Sequence, residues 1–164
     1  MASEYTSFEV VITAIIEKDG KYLITRRSLE KKRFPGAWTV PGGHLEPADF
    51  MAYPKDTEHY WYNVLEKALA REIQEEVGLT IENIRYVTSL ATEHKDGNAS
   101  IVISCLADYV SGEVKLQEEE TDRAEWVSVE EAKGYELLDG IYDELAMAEA
   151  LRTGKRYEWK RHGI

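Results

Sequence analysis

The stretch that decides the fold is Ala68-Leu69-Ala70-Arg71-Glu72-Ile73-Gln74-Glu75-Glu76-Val77-Gly78-Leu79. Its apolar residues recur at helical spacing, and Gly78 stands where a helix often ends in a left-handed residue, so the pattern predicts a helix that stops there. Glu72, Glu75 and Glu76 are three and four positions apart, which places them on one helical face. An apolar stripe that should be buried therefore ends as three carboxylates.

This arrangement carries two energetic penalties. Like charges at these spacings repel one another, and the C-terminal end of a helix is the negative end of its dipole. A bound cation would offset both penalties, and clustered carboxylate oxygens suit a hard ion such as Mg²⁺. The alternative is a solvated acidic surface without a ligand.

The composition of the 164 residues narrows the classes of protein to consider. Hydrophobic residues make up 43% and charged residues 31%, which predicts a single globular domain with a real core. The net charge of −11 argues against a basic surface that grips a nucleic-acid polymer. The single Cys105 allows no intrachain disulfide, the first residues show no signal pattern, and no apolar run reaches the roughly 18 residues of a membrane span. We therefore expect a cytoplasmic protein that does not enter membranes.

Two further segments carry candidate site residues. Arg26 and Arg27 stand at the end of a predicted strand, where they could hold phosphate in bidentate fashion. Gly42-Gly43 lets the backbone approach a ligand closely and offer it a carbonyl or an amide. An exposed basic pair and an ordinary tight turn are the alternative interpretations.

Residues 47–62 combine many aromatic side chains with polar residues. Asp56 or Thr57 would serve as an N-cap, which predicts a helix from near Thr57 to Val77. The aromatic residues at 50–62 suggest either a flap that stacks on a base or a surface buried against the domain or a second subunit, as in a homodimer.

The rest of the chain predicts mostly strands. A short strand at Glu113–Leu116 and an acidic loop at Glu118–Asp122 are followed by a helix capped at Ser128 and a last helix at Leu137–Leu151, and the tail 155–164 is expected to be loose. No linker divides the chain, so we expect one domain over residues 1–164. The predicted strands are Phe8–Ile16, Tyr22–Thr25, Ile84–Ala91, Ser100–Tyr109 and Glu125–Ser128.

Gly43-x5-Asp49, taken with Arg71-Glu72-Ile73-x-Glu75-Glu76-x-Gly78-Leu79, resembles the Nudix hydrolase signature G-x5-E-x7-R-E-U-x-E-E-x-G-U, where U is aliphatic. The second half matches at every defined position. The flanking Phe34-Pro35-Gly36-x-Trp38 and Glu125-Trp126-Val127 also resemble the family, and the resemblance extends from about Phe8 to Leu151.

The chain departs from this pattern in two ways. Asp49 stands where the family has Glu, and 21 residues rather than 7 separate Asp49 from Arg71, an insertion of 14. The glycine loop and the acidic helix can still meet if the insertion bulges outward.

The resemblance implies an α/β fold, a mixed sheet between helices, and hydrolysis of a nucleoside diphosphate linked to another group. It also implies Mg²⁺ as the cofactor, for which Mn²⁺ can substitute. The implied metal ligands are Glu72, Glu75, Glu76 and a carbonyl of Gly42 or Gly43. Arg71 would orient these acids while paired with Asp49, and Arg26 and Arg27 would contact phosphate.

The general base and the substrate remain open among alternatives. Relatives carry the base on the signature helix or on a later loop, and we favour Glu72 or Glu76 over Glu118, Glu119 and Glu120. The favoured substrate is a nucleoside triphosphate, ordinary or modified, that is cleaved to the monophosphate and pyrophosphate. ADP-ribose, nucleotide sugars and dinucleoside polyphosphates are alternatives, and a sensor that binds nucleotides without catalysis is a second class.

Overall fold

A seven-stranded mixed sheet forms the centre of the computed structural model, which describes residues 7–162. Its path runs β3-β2-β1-β6-β5, with β4 paired to β1 and β7 to β2. β1 and β6 are parallel, and the other pairs are antiparallel. The strands are β1 (Glu9–Lys18), β2 (Lys21–Arg27), β3 (Trp38–Thr39), β4 (Gly42–His44), β5 (Thr80–Glu93), β6 (Ala99–Ser111) and β7 (Thr121–Val127); the helices are α1 (Ala48–Met51), α2 (Val64–Val77), α3 (Val129–Ala132) and α4 (Ile141–Arg152).

Alternate residues of β1 face opposite layers, as the period of a strand requires. Ile12 and Ala14 pack in the core that contains Ile73 of α2, whereas Ile15 packs in the core that contains Leu145 of α4. The sheet therefore has a helix on each face, which confirms the predicted mixed sheet between helices.

Helix α2 ends as predicted but begins later than predicted. Gly78 is left-handed, with φ of 71°, and its N–H donates to the Gln74 carbonyl. The expected start near Thr57 was wrong, because α2 begins at Val64. The side chain of Asp56 accepts a hydrogen bond from the N–H of Tyr62 (2.8 Å), and the side chain of Thr57 accepts one from the N–H of Tyr60 (3.0 Å). Such local bonds compete with helix formation and instead close a compact loop.

The strand predicted at Glu113–Leu116 is also absent from the described residues. This segment lies along the end of α2, where the N–H of Lys115 donates to Val77 O (2.9 Å) and the N–H of Gln117 donates to Glu76 O (3.0 Å). These donors satisfy carbonyls that a helix end leaves free, and they fix the turn that carries the acids.

The C-terminal part follows the prediction with one shifted boundary. Ser128 forms the predicted capping box with Glu131. Helix α4 begins at Ile141 rather than Leu137, because the backbone at residues 136–138 pairs with Trp38 of β3. Residues 155–162 are exposed and form no helix or strand. Residues 1–6 and 163–164 lie outside the described residues, and the predictions for the N-terminus and the tail rest partly on them. Within 7–162, no helix has the length and apolar character needed to cross a bilayer.

Candidate functional site

The acidic end of α2 packs against strand β4. Gly43 lies so close to Glu72 that a Cβ added at Gly43 would overlap the Glu72 carboxylate. Burial raises the pKa of Glu72, and the neighbouring Arg71 opposes that shift. Glycine at position 43 therefore leaves the space that the Glu72 carboxylate occupies against β4.

Arg71 gathers three carboxylates around its guanidinium group. Its Nε donates to Asp49 at 2.5 Å, and its two terminal nitrogens donate to Glu72 and Glu75, each at 2.9 Å. Asp49 is buried, accepts a second bond from the N–H of Glu46 (2.8 Å), and has a pKa lowered by the Arg71 hydrogen bond. The 14-residue insertion thus bulges away and leaves Asp49 in contact with Arg71.

Glu76 lies deeper than its neighbours and is held by two donors. Its carboxylate accepts from the N–H of Gly42 (3.0 Å) and from Oγ1 of Thr121 (2.7 Å). Burial raises the pKa of Glu76, and these two hydrogen bonds oppose the rise. The sequence analysis missed Thr121, because a threonine beginning a strand after an acidic run carries no signal of its own.

The predicted pair of arginines is divided between two places. Arg27 is partly buried, which lowers the pKa of its guanidinium, and it lies near the carboxylates of Glu76 and Glu120. Arg26 instead forms a bidentate pair with Asp122, with N···O distances of 2.7 and 2.6 Å. The structure therefore brings Arg27, but not Arg26, to the acidic site.

Among the acids of the later loop, Glu120 lies nearest the site. It pairs with Lys31 and acts electrostatically on Glu76 and Arg27. Glu118 and Glu119 are exposed. Glu75 is also open to solvent, with 55% of its side chain exposed, so it lies at the rim while Glu72 and Glu76 lie inside.

The donor set available to a cation here consists of oxygens alone, from the carboxylates of Glu72, Glu75 and Glu76 and the carbonyl groups of β4. Such a set matches a hard divalent ion. Within residues 7–162, no three His, Cys, Asp or Glu side chains converge as ligands of one ion. Arg71 holds Glu72 and Glu75, and the Gly42 N–H and the Thr121 hydroxyl hold Glu76.

The aromatic insertion is ordered by its own contacts. Phe50 and Trp61 pack with ring centroids 5.4 Å apart, and Nε1 of Trp61 donates to Tyr53 O at 2.8 Å. Tyr53, Tyr60 and Tyr62 remain exposed. The insertion is therefore a compact loop beside Asp49, and its predicted roles as a flap or a subunit contact stay predictions.

Comparisons with known proteins agree with this geometry. The model of the NUDIX domain matches residues 7–145. Nucleoside triphosphatase NudI of Klebsiella pneumoniae is 31% identical over 138 residues, covering 77% of this chain and 86% of that protein. Human NAD-capped RNA hydrolase NUDT12 is 32% identical over 123 residues, but these are 74% of this chain and only 22% of that protein. The solution structure of the E. coli ORF135 protein superposes with a TM-score of 0.66 at 28% identity, covering 92% of this chain and 95% of that one.

Proposed function

Because this chain belongs to the Nudix hydrolase family, we propose that it hydrolyses a nucleoside triphosphate to the monophosphate and pyrophosphate with Mg²⁺ as its metal ion. The observation that carries the choice of substrate is the likeness to NudI, a nucleoside triphosphatase, along most of the length of both chains. The likeness to NUDT12 covers only about a fifth of that protein. It is therefore weaker support for assigning the substrate of NUDT12 to this chain.

Nudix enzymes generally use divalent metal ions, and we assign the ion here to Glu72, Glu75, Glu76 and the Gly43 carbonyl. When bound, such an ion neutralises phosphate charge and makes water easier to deprotonate. The overlap that a Gly43 side chain would create with Glu72 supports this assignment, because it shows that the Glu72 carboxylate lies against the backbone of β4. Arg71 and the buried Asp49 hold the acids in place between turnovers.

Hydrolysis forms a P–O bond from water and breaks a phosphoanhydride P–O bond, so a base must accept the proton of the water. We assign this role to Glu72 or Glu76. Burial raises the pKa of both carboxyls, which makes each a better base near neutral pH. Glu119 and Glu120 are the weaker candidates, since the first is exposed and the second is paired with Lys31.

Arg27 is our candidate for the phosphate contact. Its guanidinium interacts electrostatically with Glu76 and Glu120, and a planar fork of N–H donors matches the geometry of phosphate. Arg26 is a less suitable candidate, because Asp122 already engages the Nε–Nη2 edge of its guanidinium and offsets its charge.

We further propose a cytoplasmic location and small nucleotides as the ligands. The single Cys105, which is buried, fits a reducing compartment. The net charge of −11 opposes binding of a nucleic-acid polymer through a basic surface.

The test is a panel of the eight common nucleoside triphosphates, ADP-ribose, a nucleotide sugar, a dinucleoside tetraphosphate and NAD-capped RNA. Each is incubated with Mg²⁺, Mn²⁺ or EDTA, and products are separated by ion-exchange chromatography. We expect a monophosphate and pyrophosphate from at least one triphosphate, with no product in EDTA. Hydrolysis of the other compounds without hydrolysis of any triphosphate would refute the proposed substrate class. Turnover in EDTA would refute the proposed requirement for a metal ion.

A further inference from the structure

The loop between β2 and β3, residues 28–37, is anchored to distant parts of the sheet through Arg33. The guanidinium of Arg33 lies 3.4 Å from the carboxylate of Glu9 at the start of β1. It also lies 3.2 Å from Nε2 of His94 and 3.2 Å from the carboxylate of Asp96, both in the turn between β5 and β6. One side chain thus ties the loop to two other elements.

These anchors are themselves fixed. Glu9 accepts a hydrogen bond from Oγ of Ser100 (3.0 Å), its register partner on the parallel strand β6. His94 is 2.7 Å from the same hydroxyl. The guanidinium of Arg33 is therefore attached to a cross-linked end of the sheet and not to a single mobile carboxylate.

The backbone of Arg33 has a second role, since its carbonyl accepts from Nε of Arg27 at 2.8 Å. The loop also closes on the backbone of Arg27, whose N–H donates to Ala37 O and whose carbonyl accepts from Gly36 N–H, each at 2.9 Å. A guanidinium has five N–H donors in a rigid plane, so fixing Nε sets the plane of the group. Within residues 7–162 the Arg27 side chain donates through Nε alone, so its terminal nitrogens remain available for a bidentate ligand.

We propose that Arg33 is a positioning residue: its side chain anchors the 28–37 loop so that its carbonyl holds the Arg27 guanidinium ready for substrate phosphate. This inference rests on the proposed function, which makes Arg27 a phosphate contact. Preorganisation lowers the entropy lost when a side chain engages its ligand, so loss of the anchor should weaken substrate binding through Arg27 alone.

A double-mutant cycle tests the dependence of Arg33 on Arg27. With the triphosphate that the wild type turns over fastest, we expect Arg33→Ala to raise KM about tenfold and Arg27→Ala about a hundredfold, as expected for charged hydrogen bonds. The double variant should match Arg27→Ala to within about twofold, because Arg33 then has nothing to position. Arg85→Ala is the matched control, since Arg85 also pairs with a carboxylate, that of Asp108, and lies outside the site.

A second measurement does not depend on turnover. In ¹⁵N NMR spectra, the Arg27 Nε–H signal is identified by its loss in Arg27→Ala, and titration with inorganic pyrophosphate reports binding. We expect Arg33→Ala to shift this signal, speed its exchange with water and weaken pyrophosphate binding about tenfold. If Arg33→Ala does not fold, Arg33→Gln takes its place in both experiments.

The two levels of proposal fail in different ways. Independent, multiplicative effects of the two variants on KM, or an unchanged Arg27 signal in a folded Arg33 variant, would overturn the positioning role alone. If the wild type hydrolyses no triphosphate, the proposed substrate fails, and the Arg27 signal still decides whether Arg33 positions it.

Discussion

Two glutamates, Glu76 on α2 and Glu144 on α4, lie against opposite faces of the same sheet and differ in what surrounds them. Burial raises the pKa of both carboxyls. Glu76 accepts hydrogen bonds from Gly42 and Thr121, so its ionised form is supported. Glu144 is only 5% exposed and lies near Ser104, whose own buried hydroxyl has no hydrogen-bond partner within residues 7–162.

The difference teaches that burial alone does not mark a working carboxylate. Two donors, Gly42 and Thr121, hold the Glu76 carboxylate against the cost of its burial, whereas within residues 7–162 the Ser104 hydroxyl alone opposes the rise that burial causes in the pKa of Glu144. We therefore expect chemistry to depend on Glu76 and stability to depend on Glu144, and each prediction below probes that division.

The largest effect is expected from Glu76→Gln, which keeps the shape of the side chain and removes its negative charge. We expect kcat to fall about 10²–10⁴-fold with the melting temperature little changed, because the variant loses both roles that we propose for Glu76, proton acceptor and oxygen ligand. Glu144→Gln should leave kcat within about twofold. Steady-state kinetics with circular dichroism compare the two, and equal losses would contradict the division.

Alanine substitutions at the two neighbouring glycines of β4 should have different consequences, one mainly for activity and the other also for stability. In Gly43→Ala the new Cβ meets the end of the flexible Glu72 side chain, which can rotate away. Activity should fall about a hundredfold while stability holds, because a displaced ligand is misplaced for chemistry. In Gly42→Ala the Cβ meets backbone, overlapping the Ile12 carbonyl and lying 2.8 Å from the Thr13 Cα. We expect that variant to lose about 1–3 kcal/mol of stability as well.

The control for these variants is Gly134→Ala, because a Cβ at Gly134 meets only the Glu131 carbonyl at 3.4 Å and the residue has no left-handed backbone. Thermal melts and kcat of all three variants decide the outcome. A Gly43→Ala protein as unstable as Gly42→Ala would show that Glu72 cannot move.

Thr121→Val removes one donor from Glu76 and should lower stability by about 1–2 kcal/mol, because a partly buried carboxylate loses a hydrogen bond. We expect kcat to fall about tenfold, and Thr121→Ser, which keeps the hydroxyl, to restore most of it. Ser104→Ala on the other face removes an unpartnered hydroxyl and should be neutral or stabilising. Urea denaturation measures all three, and a destabilised Ser104→Ala would mean that this hydroxyl has an undetected role.

The sequence predicted the carboxylates on the α2 side of the sheet far better than the buried Glu144 on the α4 side. Glu72, Glu75 and Glu76 follow helical spacing, which fixes their common face without any tertiary information. The insertion did not obscure Asp49, because its own loop contacts keep it outside the site. The assignment of metal and catalytic roles to these residues stays a prediction.

Other features depended on tertiary contacts that no local pattern contains. Thr121 reaches Glu76 only because β7 pairs with β2, and the same strand pairing brings Asp122 to Arg26. The start of α2 was misplaced because Asp56 and Thr57 can cap a helix or close a loop with equal chemistry. Glu144 lies in a predicted amphipathic helix, yet its burial depends on where α4 packs.

The smallest effect concerns the pH dependence of stability set by Glu144. Its pKa in the folded protein lies above the ordinary value of 4.5, so between these values the folded form keeps a proton that the unfolded form has released. The contribution of Glu144 to stability is therefore fully present below about pH 4.5 and is lost as the pH rises through the folded pKa. Glu144→Gln does not titrate, so its melting temperature should exceed that of the wild type by a few degrees at pH 8 and by less at pH 5.

Glu149, on the same helix, is the control, because its pKa shift and its effect on the pH dependence of stability have the opposite sign. Burial alone would raise its pKa, but hydrogen bonds from Tyr22 and Arg152 lower it overall. Its contribution to stability is thus present above the ordinary carboxyl range and is lost on acidification, so Glu149→Gln should lower the melting temperature most at neutral pH. Calorimetry of both variants from about pH 3 to pH 8 measures the two trends, because the Glu149 contribution changes below its ordinary pKa and the Glu144 contribution changes above it. A Glu144→Gln difference that does not change with pH would mean that Glu144 is ionised in the fold, and the contrast with Glu76 would then rest on hydrogen bonding alone.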